Sequence, residues 1–281
     1  MESLKYNCNN NKNRLLIAEK EKYALLTDIL NMPSNAMVLI AGPCSVENYS
    51  GFEEIAIFLK ENGVKCIRGG AYKPRTSPYD FQGLHEDGLK ILNEVAKKHN
   101  LSTITEVLDT RHVELVSNHA DILQVGARNM QNYELLKEIG MSGHPVMLKR
   151  GFCATIEEFM HAAEYIALNG NNKIILCERG IRTFETKTRN TLDISCIPII
   201  KLETSLSIVV DLSHSLGRKD IICPIAKAAI AAGADGIMIE VHPDPENALS
   251  DCKQQMSMIE FHELINSLKC DKNINLLHSA K

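Results

Sequence analysis

Short β-rich runs alternate with amphipathic helical stretches along most of this chain. Eight runs are rich in branched and apolar residues, at positions 38–41, 64–68, 102–106, 122–125, 145–149, 173–177, 208–211 and 236–240. Runs of this length, bounded by glycine and polar turns, are typical of strands that are buried on both faces. The alternation therefore predicts an α/β protein with a parallel sheet and right-handed crossover connections.

Helical stretches fill the gaps between these runs. Apolar residues recur at helical spacing in segments 52–61, 88–99, 132–139, 156–168 and 221–232. Four glycines follow helical stretches, Gly63, Gly140, Gly170 and Gly233. We expect each of them to take the positive φ of a helix C-terminal cap. Eight strand–helix units predict a closed (β/α)8 TIM barrel.

The structural alternative to a barrel is a doubly wound open sheet. Such a fold would normally carry a glycine-rich phosphate loop after its first strand. Here that position holds Gly42-Pro43-Cys44-Ser45, which does not match the dinucleotide-binding fingerprint. No internal repeat or low-complexity linker divides the chain, so the sequence predicts one barrel domain over residues 37–281 that ends in a short C-terminal tail.

Residues 1–36 are expected to form an N-terminal extension of the barrel. The first dozen residues are polar and rich in asparagine, which predicts a loose tail. Residues 14–30 carry apolar side chains at near-helical spacing, and Pro33 ends that segment. We therefore expect a short helical extension that packs on the barrel or on a neighbouring subunit.

Charge and cysteine content exclude several classes of protein. The chain has 281 residues and a net charge of −4, which argues against nucleic acid as the main partner. No apolar stretch approaches the roughly 18 residues of a membrane span, and the N-terminus lacks the apolar core of a signal peptide. The nine cysteines are odd in number and form no CxxC pair, which predicts reduced thiols and a cytoplasmic protein without membrane contact.

Polar residues gather where the predicted strands end, which in a barrel is the mouth that carries the active site. Six of them are cations: Arg68, Lys73, Arg75, Arg128, Lys149 and Arg179. Arginine binds phosphate and carboxylate through paired hydrogen bonds, and lysine acts as a point charge. The set predicts one or more substrates with several negative charges. The alternative for each cation is a structural salt bridge to Glu106, Glu178 or a surface acid.

The same strand ends predict a metal site. Cys44, His214 and Glu240, with one further acid, would offer sulfur, nitrogen and oxygen ligands. This mixture suits a divalent ion such as Mn, Zn, Fe or Co better than Mg or Ca. Each residue has an ordinary alternative, because Cys44 could be a buried apolar residue and His214 a general base or a hydrogen-bonded core histidine. His242 and Asp244 are also near in sequence, and spacing alone does not choose among them.

Seven motifs resemble those of one family. They read AGPCSVE, RGGAYKPRTSPYDFQG, TEVLD, LQVGARNMQNYELLKEIG, LKRGFCATIEEF, ILCERGIRTFETKTRNTLD and EVHPDPENALSD. Over roughly residues 37–268 the chain resembles 3-deoxy-D-arabino-heptulosonate 7-phosphate (DAHP) synthase, and within it the type I subgroup that is related to the KDO 8-phosphate synthases.

The resemblance implies a metal-dependent, aldol-type condensation of phosphoenolpyruvate with erythrose 4-phosphate and water, the first step of the shikimate pathway. It implies metal ligation by Cys44, His214, Glu240 and Asp251. It implies a phosphoenolpyruvate site of Arg68, Lys73, Arg128, Lys149 and Arg179. Glu106 would place a water or a substrate group, and Lys73, Glu106 and His214 would be the catalytic residues. Arg75 and Thr76 would hold the phosphate of erythrose 4-phosphate, and a homo-oligomer, dimer or tetramer, is expected.

Two alternatives stay open beside this function. One is a synthase of the same chemistry that uses another aldose phosphate, although the KPRTS and GARN motifs favour the seven-carbon product. The other is a catalytically weakened paralogue that mainly binds a partner. Its support is one altered motif, because the family usually reads DPSHATGRRD where this chain reads DLSHSLGRKD.

We expect this altered motif to affect the site beside His214. Leu212 in place of proline would loosen the backbone, while Ser215 and Leu216 would change the wall next to the metal. Many relatives also carry an N-terminal regulatory domain. The 36 residues before the first strand are too few for one, so we expect no built-in feedback control by aromatic end products.

Overall fold

The computed structural model describes residues 15–19 and 22–270. Eight parallel strands form a closed barrel in sequence order: β1 Val38–Gly42, β2 Cys66–Arg68, β3 Ser102–Val107, β4 Ile122–Val125, β5 Val146–Lys149, β6 Ile174–Glu178, β7 Ser207–Asp211 and β8 Gly236–Glu240. β8 pairs with β1, with Val38 opposite Gly236 and Gly42 opposite Glu240. The predicted (β/α)8 barrel is confirmed, and the open sheet is excluded because β1 and β8 close on each other.

The helices of the described residues lie mainly between successive strands. They are α1 Leu26–Ile29, α2 Tyr49–Glu61, α3 His85–His99, α4 Val113–Ser117, α5 Tyr133–Met141, α6 Ile156–Leu168, α7 Cys196–Glu203, α8 Leu212–Leu216, α9 Ile222–Ala231 and α10 Met258–Lys269. Short 3-10 turns occur at Leu16–Ala18, Thr110–His112, Ala127–Asn129 and Pro245–Asn247. None of these described helices is both long and apolar enough to cross a lipid bilayer.

The predicted helical extension within residues 14–30 consists of two short pieces in the described residues. The described part of this segment forms a 3-10 turn at Leu16–Ala18 and the four-residue α1. The carboxylate of Glu164 in α6 accepts hydrogen bonds from the backbone N–H of Leu16 at 2.8 Å and of Ile17 at 3.2 Å. The Ile17 carbonyl accepts from Ser205 N at 2.8 Å. Contacts with α6 and with the loop before β7 thus satisfy these backbone groups.

The segment around α1 closes the amino-terminal end of the barrel. Leu26 and Leu30 are buried in one cluster with the inward side chains of the strands, including Val38, Ile104 and Met238. Leu26 N also donates to Ser207 Oγ at 2.9 Å. The extension therefore packs on the barrel. The loose tail predicted for the first dozen residues and the tail after residue 270 lie outside the described residues.

Gly140 departs from the predicted role of a C-terminal cap. α5 continues past it to Met141, and the positive φ, 68°, falls at Gly143. A Cβ at Gly140 would lie 2.8 Å from Asn169 Cβ and 2.8 Å from the Ile166 carbonyl, so the missing side chain lets α5 and α6 approach. The other predicted caps do take positive φ, of 82°, 90° and 99° at Gly63, Gly170 and Gly233.

Candidate active site

A cavity of about 160 Å³ opens at the carboxyl ends of the strands. The six predicted cations all line it: Arg68, Lys73, Arg75, Arg128, Lys149 and Arg179. Thr76, Glu106, His214 and Asp251 also line it. The remaining two predicted ligands, Cys44 and Glu240, are buried just behind this wall. The strand ends thus bring together the residues that the sequence placed there.

Arg68 and Lys73 connect the end of β2 with the residues at the end of β1 and β8. The buried Arg68 guanidinium forms a salt bridge with the fully buried Glu240, through Nη1 and Oε1. Lys73 Nζ donates to the Cys44 carbonyl at 2.9 Å and lies 2.9 Å from Cys44 Sγ. A Cβ at Gly70 would lie 2.7 Å from Lys73 Cδ, so this glycine leaves room for the lysine stem.

Lys149 and His214 share the carboxylate of Asp211 at the end of β7. Asp211 Oδ2 lies 2.5 Å from Lys149 Nζ and 2.8 Å from His214 Nδ1. Burial alone would raise the pKa of Asp211, but His214 and Lys149 outweigh it and hold that pKa well below its usual range. The ionised carboxylate fixes the imidazole, whose Nε2 then faces Glu240 and Asp251 at 3.5 and 3.7 Å.

Glu106 at the end of β3 lies among four cations. Its removal from bulk water raises the pKa of its carboxyl group, although Lys73, Lys149, Arg128 and Arg68 oppose the rise. A side chain at Gly126 would displace Glu106 Oε1, because a Cβ there would lie only 1.9 Å away. Glu106 can therefore hold a proton or orient a water within the cavity.

Three arginines surround the ring of Phe152, in the loop after β5. The guanidinium carbons of Arg128, Arg179 and Arg182 lie 5.6, 4.7 and 4.7 Å from the ring centroid. These distances are within the range of cation–π attraction. Among the described residues neither Arg128 nor Arg179 forms a salt bridge, so both charges remain available to an anion in the cavity.

Arg75 and Thr76 lie on the loop between β2 and α3. Arg75 Nη2 is 3.3 Å from Asp80 Oδ2. Asp80 is largely open to water, with 44% of its side chain exposed. Since exposed ion pairs contribute little free energy, this pair can open easily to admit an anionic group.

Four predicted ligands form a cluster that could hold a metal ion. One atom from each of Cys44, His214, Glu240 and Asp251 lies within 4.8 Å of the others. Cys44 Sγ is 3.4 Å from Asp251 Oδ2, and His214 Nε2 is 3.5 Å from Glu240 Oε1. Metal–ligand bonds of roughly 2.0–2.3 Å would place tetrahedral ligands about 3.3–3.8 Å apart. The donor atoms and their spacing therefore fit one divalent transition ion.

Burial of the thiol is the main reason that the pKa of Cys44 is raised to about 12, and Glu240 and Asp251 add to the effect. A cation at the cluster would favour the thiolate.

His242 and Asp244 lie elsewhere, with His242 Nε2 3.5 Å from Glu47 Oε2 and Asp244 N bound to His242 Nδ1. The choice of Asp251 over these two matches the geometry.

The sequence-based alternative of a salt bridge to a surface acid is met by Arg75, which pairs with the exposed Asp80. Arg68 and Lys149 are paired, but with Glu240 and Asp211. Glu178 forms a salt bridge with Arg150, the residue after Lys149, which does not line the cavity. Sequence reasoning also missed five residues of the site. Four of them lie in quoted motifs, namely Gln124, Phe152, Arg189 and Asp211, whereas Gln254 lies three residues beyond the last motif.

In the altered loop, His214 is the residue that lines the cavity. Leu212, Ser215 and Leu216 are buried behind it. Ser215 and Leu216 therefore do not line the cavity itself, but Leu216 lines a neighbouring recess together with Arg189 and Asp251. Asp211 caps α8 by accepting a hydrogen bond from His214 N at 3.0 Å.

Fold and cavity define the class of this protein. It is a (β/α)8-barrel enzyme with a cationic cavity and an adjacent cluster of possible metal ligands at the carboxyl ends of its strands. The sequence model described as the DAHP synthetase I family matches residues 14–275. The chain belongs to this family, and its enzymes are of the aldolase and transferase type.

Individual relatives agree with this assignment. The phospho-2-dehydro-3-deoxyheptonate aldolase of Thermotoga maritima is 58% identical over 231 residues, which cover 82% of this chain and 68% of the relative. A crystal structure of the Thermotoga maritima enzyme matches with a TM-score of 0.84 at 54% identity, over 87% of this chain and 72% of that one. A 2-dehydro-3-deoxyphosphooctonate aldolase of Syntrophobacter fumaroxidans is 30% identical, over 84% of this chain and 87% of the relative.

Proposed function

We propose that this chain condenses phosphoenolpyruvate with erythrose 4-phosphate and water, in a metal-dependent reaction that gives DAHP and phosphate. The observation that carries the proposal is the convergence of six cations on one cavity beside the candidate metal cluster. The two substrates together bring two phosphates and a carboxylate, which match this surplus of positive charge. The reaction would be the first step of the shikimate pathway.

We divide the six cations by proposed substrate and call the two groups inner and outer. We assign phosphoenolpyruvate to the inner group: Arg68, Lys73, Arg128, Lys149 and Arg179. Arg75 and Thr76, on the loop after β2, would bind the phosphate of erythrose 4-phosphate. With its phosphate at that loop, the four-carbon chain could extend inwards and place its aldehyde near Cys44 and His214.

Cys44, His214, Glu240 and Asp251 would hold one Mn, Zn, Fe or Co ion. When bound, the ion would supply Lewis-acid polarisation of the aldehyde. The inner cations would orient C3 of phosphoenolpyruvate towards the aldehyde carbon and stabilise the charge that develops. Glu106 would hold the water that adds at C2 before phosphate leaves by C–O cleavage.

Lys73 and His214 are proposed as further catalytic residues. Both line the cavity, Lys73 Nζ lies 2.9 Å from Cys44 Sγ, and His214 belongs to the cluster. Other barrel aldolases use a lysine that forms a Schiff base, and Lys149 is poorly suited to that role. Its Nζ already donates to the buried Asp211 carboxylate at 2.5 Å, so this contact would have to break before the nitrogen could attack a carbonyl. The enzyme is further proposed to be a cytoplasmic homo-oligomer.

A second candidate function is the same reaction with a different aldose phosphate. It is favoured by the 30% identity to the octonate-forming aldolase, because an eight-carbon product requires a five-carbon aldose. A catalytically weakened paralogue with a binding role is the remaining alternative. The intact set of cations and cluster residues argues against it.

One experiment tests these alternatives. Metal-loaded protein is mixed with phosphoenolpyruvate and a panel of four- and five-carbon aldose phosphates, and phosphate release is followed with and without EDTA. We expect erythrose 4-phosphate to be preferred and EDTA to abolish turnover. Arg128→Ala should reduce turnover, whereas Arg111→Ala, an exposed cation outside the cavity, should not. No turnover with any aldehyde would refute the enzymatic proposal, and a five-carbon preference would support the second candidate.

A further inference from the structure

The side chain of Gln254 binds both carboxylates of the candidate metal cluster. Its Nε2 donates to Glu240 Oε2 at 2.5 Å and to Asp251 Oδ2 at 3.3 Å. Gln254 is buried, in the turn three residues beyond Asp251. A neutral amide can hold two carboxylates and leave in place the negative charge that attracts a cation. A lysine at this position would neutralise part of that charge.

Arg189 fixes the orientation of this amide. Its Nη1 donates to Gln254 Oε1 at 2.5 Å and lies 3.3 Å from Asp251 Oδ2. A guanidinium group has donors only, so the amide oxygen must face it and the amide nitrogen must face the carboxylates. Arg189 comes from the loop between β6 and α7, and this contact therefore joins that loop to the turn after Asp251.

The geometry around Glu240 gives Gln254 a specific effect. One carboxylate oxygen, Oε1, faces His214 Nε2 at 3.5 Å, and the other, Oε2, is bound by Gln254. Arg68 binds Oε1, and Gln254 thus fixes the carboxylate's rotation about its last bond from the opposite oxygen. Asp251 has a φ of 49°, which is uncommon for a residue other than glycine. Contacts from Gln254 and Arg189 help to keep its side chain at the cluster.

We propose that Gln254, anchored by Arg189, is a positioning residue that holds Glu240 and Asp251 at the separation needed to chelate a divalent ion. This inference rests on the metal role in the proposed function. Outer hydrogen bonds of this kind orient metal ligands, and their loss typically weakens metal binding by about 10–100-fold.

The test measures binding of Co²⁺ alone, by competition with a chelator and by the thiolate-to-cobalt absorption band of Cys44. We expect Gln254→Leu, which removes both hydrogen bonds, to weaken Co²⁺ binding by about 10–100-fold. Lys253→Ala changes an exposed neighbour in the same turn and should bind as the unaltered protein does.

Two further measurements separate positioning from folding. Melting of the EDTA-treated proteins shows whether each variant keeps its fold. Arg189→Met removes the anchor of Gln254 and should also weaken Co²⁺ binding. The loss of Co²⁺ affinity in the Arg189→Met, Gln254→Leu double variant should be smaller than the sum of the two single losses. Unchanged Co²⁺ affinity in both variants would overturn the inference while leaving the proposed function intact. Absence of the cobalt band in the unaltered protein would refute the metal site itself, and this inference with it.

Discussion

Arg150→Ala tests which of two adjacent cations supports the fold. Lys149 lines the cavity, whereas Arg150 is 3% exposed and points to the other side of the strand end. Arg150 Nη1 lies 2.9 Å from Glu178 Oε2 and 2.8 Å from Asp193 Oδ2, and its Nε donates to the Ala154 carbonyl at 3.0 Å. Truncation therefore removes three contacts and leaves a fully buried carboxylate at Glu178.

Removal of one partner from a buried ion pair typically costs about 3–5 kcal/mol. For a domain of this size each kcal/mol lowers Tm by about 2–4 °C, so we expect Arg150→Ala to melt about 6–20 °C lower. Glu178 keeps one hydrogen bond, from Gly180 N at 2.7 Å, which places the expected cost towards the lower end. Arg111→Ala, whose ion pair with Asp109 is on the surface, should change stability by less than about 0.5 kcal/mol.

Urea unfolding measures the change in unfolding free energy of each variant, and thermal melting measures the change in its Tm. A second variant, Arg150→Met combined with Glu178→Leu, should recover much of the lost stability, because it removes the uncompensated charge along with its partner. The reasoning would be refuted if Arg150→Ala cost less than about 1 kcal/mol. It would equally fail if the double variant were less stable than the single one.

Three further predictions concern the site. Burial raises the pKa of Glu106, so its contribution to stability is present below the unfolded value of about 4.3 and is lost as pH rises through the folded pKa. The Glu106→Gln variant should then require a higher urea concentration to unfold at pH 8. It should also turn over about 100-fold more slowly. A lower stability of the variant at pH 8 would contradict this prediction. Phe152→Leu should raise the KM for phosphoenolpyruvate by about 2–30-fold through lost cation–π contacts, with Phe152→Tyr restoring it in steady-state assays. Because the pKa of the Cys44 thiol is raised to about 12, metal binding must displace its proton. Affinity should rise from pH 6 to pH 8 in metal titrations, and Cys44→Ala should bind weakly without that slope.

The strands and their polar ends could be predicted because their signals are local in sequence. Buried parallel strands read as continuous apolar runs, and β4 and β8 match the predicted bounds. α6 also matches, since Thr155 and Glu158 form a capping box at its start. Once the strands are ordered in a barrel, their carboxyl ends must converge, and the six cations and three of the cluster residues follow from that topology. The fourth cluster residue, Asp251, came from the family resemblance alone.

The partners of those residues could not be predicted in the same way. The apolar pattern of β5 does not show that Lys149 faces the cavity while Arg150 faces Glu178. The contacts of Gln254 with Glu240 and Arg189 join three segments that are distant in sequence. The segment before β1 shows the same limit, because its apolar spacing suited a helix while contacts with Glu164 and Ser205 determined its backbone.

The altered loop after β7 shows how such partners bear on function. Leu212 is the first residue of α8, a position where proline is favoured because its preset φ suits the helix and its missing N–H is unpaired there in any case. Leucine loses that preset angle, but Asp211 fixes the turn through both His214 N and His214 Nδ1. Ser213 Oγ accepts a hydrogen bond from Glu240 N at 2.8 Å and ties the loop to β8. The replacement therefore removes one restraint among several, and the position of His214 depends mainly on Asp211, which this chain retains.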